Sequence, residues 1–102
     1  MKAIITFQGT SLVMYGEIDE SQKSTAKGIK ITNCRNVHYW SQFDDGSPCA
    51  LADLAIQGPG SESEIGPAVP GITHVLLPVA VIHPCTEDAE RMFDAQGWGR
   101  KR

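Results

Sequence analysis

Gly16 stands in the middle of a run that otherwise alternates like a strand, and no other residue constrains the fold as much. Over 12–19, Leu12, Met14, Gly16 and Ile18 fall on one side of an extended chain, with Val13, Tyr15, Glu17 and Asp19 on the other. A missing side chain on the inward side lets a small sheet bend sharply. The neighbouring runs are strands as well. Over 3–7, Ala3, Ile5 and Phe7 alternate with Ile4 and Thr6, and Gly9-Thr10-Ser11 makes the turn that follows. After a polar stretch, 19–28, strand character resumes with Ile29 and Ile31 and returns again over Ile72–Ile82, where Pro78 separates two short strands.

Two helices are expected. Ser47 is placed to cap the first, Pro48 suits its opening position, Leu51, Leu54 and Ala55 share one face, and Gly58 stops it, giving a helix over about 48–57. Thr86 caps the second, Glu87 and Asp88 occupy its positive end, and Ala89, Met92 and Phe93 form its apolar face before Gly97. Residues 58–71 are loop by composition. The 102 residues therefore predict a single α+β domain over 1–97, followed by a basic tail, 98–102.

Composition removes several function classes. A formal net charge of −3 argues against a protein whose main task is coating nucleic acid. The longest apolar run, Val75–Ile82, contains Pro78 and is too short to cross a bilayer, so no membrane role is expected. The opening residues have no secretory leader pattern, and three cysteines (Cys34, Cys49, Cys85) fit a reducing compartment, so a cytosolic location is expected. Cysteine and histidine spacing matches no metal motif, and no cofactor signature is present. Cys49 in a helix's first turn, with His38 as base, is the one arrangement suggestive of a nucleophile. No elbow or phosphate-cradling loop accompanies it, so the expectation is a protein that is not an enzyme.

The strand order resembles small, strongly bent antiparallel β-barrels of the Sm-like or SH3-like kind. About five strands would close the barrel, with Gly16 in the bent second strand and Ile72–Ile82 as the closing hairpin. The Sm family's RNA-gripping Arg-Gly pair is missing, since the matching stretch reads Val-Leu-Leu-Pro-Val. A second resemblance is to small uncharacterised phage and prophage proteins, a domain of unknown function. It is carried by Tyr39-Trp40-Ser41, Leu51-x-x-Leu54-Ala55-x-x-Gly58, Val69-Pro70-x-Ile72-Thr73 and Ile82-x-Pro84-Cys85-Thr86-Glu87. That resemblance implies a viral origin and an accessory or counter-defence role.

Residues 33–41 concentrate the side chains able to grip a ligand. Asn33, Asn36 and Ser41 offer amides and a hydroxyl, Arg35 and His38 offer charge or donors, and Tyr39 and Trp40 offer flat surfaces. Alternation sets Arg35, Val37 and Tyr39 on one face, continuing the Ile29–Ile31 face into the core. Arg35 on a buried face asks for a bulge or an anionic partner. Arginine beside an aromatic plane suits a base or phosphate. The expected function is thus a non-enzymatic binding protein that sequesters a small anionic ligand with a flat ring, such as a signalling nucleotide. The alternatives are an inhibitor docking on a host protein and, disfavoured by charge, a single-stranded nucleic-acid binder. Short strands with open edges further predict a homo-oligomer.

Overall fold

The computed structural model describes residues 1–22, 28–40, 50–60 and 63–97. The strands are β1 (Lys2–Phe7), β2 (Val13–Glu17), β3 (Ile29–Tyr39), β4 (Glu64–Ile65), β5 (Val69–Val75) and β6 (Val79–Pro84), with helices α1 (Leu51–Gln57) and α2 (Glu87–Ala95). All six strands form one antiparallel sheet in the order β4-β3-β2-β1-β6, with β5 also paired to β3. Strand β4 pairs with Val37 and Tyr39 and β5 with Ile29–Cys34, so the run 64–75 follows one edge of β3.

The expected closed barrel is not formed. Strands β5 and β6 were to be a closing hairpin, but β5 pairs with β3 and β6 pairs with β1, at opposite edges of the sheet. The sheet is nonetheless strongly curled. Four strand spacings would separate those edges by about 19 Å if flat, and the link from Val75 to Val79 reaches only about 14 Å. Val75 and Val79 meet in one core with Ala3, Ile5, Phe7, Ile18, Ile29 and Ile31. Gly16 permits the bend as expected: a Cβ there would lie 2.4 Å from Ile31 Cγ2. The β2–β3 ladder shifts register at this point, between Tyr15 and Glu17.

The second core lies on the opposite face and is covered by the helices. It contains Ile4, Val13, Tyr15, Val37, Leu54, Ala55, Ile65 and Phe93. Thr86 caps α2 as predicted, accepting from Ala89 N–H at 3.1 Å. Its hydroxyl also donates to Ile56 O at 2.5 Å, tying the end of α1 to the start of α2. Met92, expected on the apolar face of α2, is exposed, while Phe93 stacks on Tyr15 of the sheet and Ala89 is buried beside Gly58 at the end of α1. Helix α1 begins at Leu51 after Ala50, and the expected Ser47 cap and Pro48 start lie outside the described residues, as does the tail 98–102. Gly58 ends the helix at φ 82°, donating to Leu54 O.

The described residues of 58–71 are not one surface loop: they are buried as far as Gly66, except half-buried Glu64, and exposed from Pro67, where β5 soon begins. Gly58, Pro59, Gly60, Ser63, Ile65 and Gly66 are buried, and Glu64–Ile65 is strand β4. Ile65 anchors it, fully buried opposite Val37, and Arg35 and Gln96 donate to the Gly66 and Ser63 carbonyls. No helix among the described residues is long and apolar enough to cross a membrane.

Candidate functional site

The predicted cluster 33–41 is divided by a bulge at its first residue. Asn33 has φ 51°, and the β3–β5 register shifts between Thr32 and Cys34. One extra residue reverses the alternation. Ile29 and Ile31 face the inner core and Cys34 continues that face, while Arg35 and Val37 point to the helix side. The expectation that Val37 and Tyr39 extend the Ile29–Ile31 face is corrected accordingly: Val37 packs with Ile65 and Phe93, and Tyr39 is exposed.

Arg35 is buried, only 8% exposed. Its Nε donates to Gly66 O at 2.7 Å, Nη1 to Phe93 O at 2.7 Å, and Nη2 to Gln96 O at 2.6 Å and Ile65 O at 3.5 Å. Two of these carbonyls belong to the end of α2, where a helix leaves its last C=O groups unpaired and carries partial negative charge. The last turn of α2 has no basic residue of its own. Arg35 supplies that charge from β3, across 58 residues of sequence to Phe93. Burial lowers its pKa, and the nearby Asp94 carboxylate opposes that shift.

A polar cleft of about 220 Å³ opens beside this junction, lined by Lys2, Tyr15, Asn33, Arg35 and Asp94 among others. Asp94 accepts from Lys2 Nζ at 2.6 Å and from the Tyr15 hydroxyl at 3.2 Å. The bond to Asp94 raises the Lys2 pKa. Tyr15 stacks on Phe93 with ring centroids 4.0 Å apart, and burial raises its hydroxyl pKa. The cleft therefore carries two cations, Lys2 and Arg35, and two carboxylates, Asp94 and Glu17, and Lys2, Arg35 and Asp94 already have close partners among one another, Tyr15 and the backbone.

The remaining cluster residues lie elsewhere. Asn36, His38 and Tyr39 are exposed toward the end of β3, where Asn36 O accepts from Gly66 N–H. Trp40 is half-buried against the Ile4–Phe93 core, and Ser41 lies outside the described residues. Asn33 and Arg35 thus share the cleft, and His38 and Tyr39 do not line it. Of the cysteines, Cys34 is buried and Cys85 half-buried, and burial pushes the Cys85 thiol up to about 12, where it is a poor nucleophile. Cys49, the candidate nucleophile, is outside the described residues. Among the described residues no group of His, Cys, Asp and Glu side chains could hold a metal ion.

Sequence reasoning missed the surface of β5. Its residues from Val69 to Ile72 are all exposed, Ile72 at 69%, and Leu76 just beyond is exposed at 73%. Consecutive exposed residues mean that both faces of this part of the strand meet solvent. Among the described residues, no strand pairs with its outer edge.

The family model for a domain of unknown function (DUF6948) matches residues 1–93. The chain belongs to this family. The match takes in all six strands, α1 and α2 as far as Phe93, so the family's shared region includes both Arg35 and β5. No curated protein and no solved structure matches the chain.

Proposed function

We propose that this member of the family is a non-enzymatic protein-binding module whose working surface is β5. The observation that carries the reading is the exposure of Val69 and Ile72 on β5, at 50% and 69%, and of Leu76 just beyond it, at 73%, beside an outer edge with which no strand among the described residues pairs. Apolar side chains on an unpaired edge lose little by being covered, and burying each removes its contact with water for roughly 1.5–3 kcal/mol. An extended segment added to such an edge gains main-chain hydrogen bonds as well.

The small anionic ligand with a flat ring is the weaker reading. It needs a cation beside the ring, and Arg35 spends its donors on Gly66, Phe93, Ile65 and Gln96. Tyr39 is 40% exposed, but it does not line the cleft that Arg35 borders. If the resemblance to phage proteins extends to origin, the partner of β5 is a host protein and the role is counter-defence.

The test is a photocrosslinking side chain placed at position 72 in the cell of origin, with position 91 on exposed α2 as control. Products at 72 that are absent at 91 support the reading. Equal or empty patterns at both positions would overturn it.

A further inference from the structure

No further inference is drawn: the strongest candidate, the open groove beside β5 lined by Glu17, Asp19, Glu20, Lys30, Ile72 and His74, joins an acidic cluster to the exposed apolar surface already described, and nothing in the structure shows what covers it.

Discussion

The two halves of β3 share one strand and one sheet edge, yet they are held in opposite ways. From Cys34 to Tyr39 the strand is enclosed: β2 on one side, β4 on the other, and Arg35 reaching through to four carbonyls of β4 and α2. From Ile29 to Thr32 the strand's outer neighbour is β5, bound by its backbone ladder while most of its own side chains stay in solvent. Polar anchoring is concentrated at Arg35, beyond Asn33, whereas Ile29 and Ile31 are fixed by the inner core and their outer neighbour β5 exposes apolar side chains. A protein this small has little surplus core, and the exposed Ile72 of β5 and Leu76 just beyond it are the residues on which the proposed binding role rests.

The contrast breaks most visibly at Arg35. Arg35→Met keeps much of the volume but removes the charged donors to the Gly66, Phe93 and Gln96 carbonyls, so stability to urea should fall by about 3 kcal/mol. A variant as stable as the parent would mean that the junction is not what holds α2 to β3. Asn33 is the next lever. A β-branched residue at φ 51° is strained, so Asn33→Val should cost about 1–2 kcal/mol, while Asn33→Gly should cost nothing measurable. Equal losses from both would place the importance of Asn33 in its side chain rather than in the bulge.

Alkaline pH probes the helix side through Tyr15 and Cys85, and the inner core through the buried Cys34 thiol, whose pKa burial also raises. Burial raises the Tyr15 hydroxyl above its ordinary 10.0 and the Cys85 thiol from 9.0 to about 12. The unfolded chain therefore gives up these protons first, so stability is whole below about pH 9 and declines as pH rises further. Tyr15→Phe should flatten the part of that decline that begins near pH 10, measured by thermal melts across pH. An unchanged slope would mean that the hydroxyl titrates freely in the fold. The smallest effect belongs to β5: Ile72→Ser should shift the stability of dilute protein by no more than about 0.5 kcal/mol, because its side chain is already in water. A large loss would show Ile72 to be part of the monomer's core.

Much of the local structure was legible in the sequence, and the candidate site was legible only in part. The strands around Ile4, Tyr15 and Ile31, the bend at Gly16 and the cap at Thr86 follow from spacing and from the chemistry of single residues. The need of a buried Arg35 for a bulge or an anionic partner was also readable, and the bulge exists at Asn33. Its acceptors were not readable, because Phe93 and Gln96 lie far along the chain and offer backbone carbonyls that every residue possesses. Ile72 and Leu76 misled for the opposite reason: their apolar composition reads as core whether or not the fold covers them.

The sequence by itself determined which segments extend, which coil into helices and where each helix is capped, since those choices depend on neighbours a few residues away. Tertiary structure alone decided that β5 and β6 go to opposite edges and leave the sheet open, that Ser63, Ile65 and Gly66 are buried while Val69–Val75 forms a mostly exposed strand, and that Arg35 closes a helix end. Each of these depends on which distant backbone groups still need partners once the curled sheet has formed, a condition that no local pattern records.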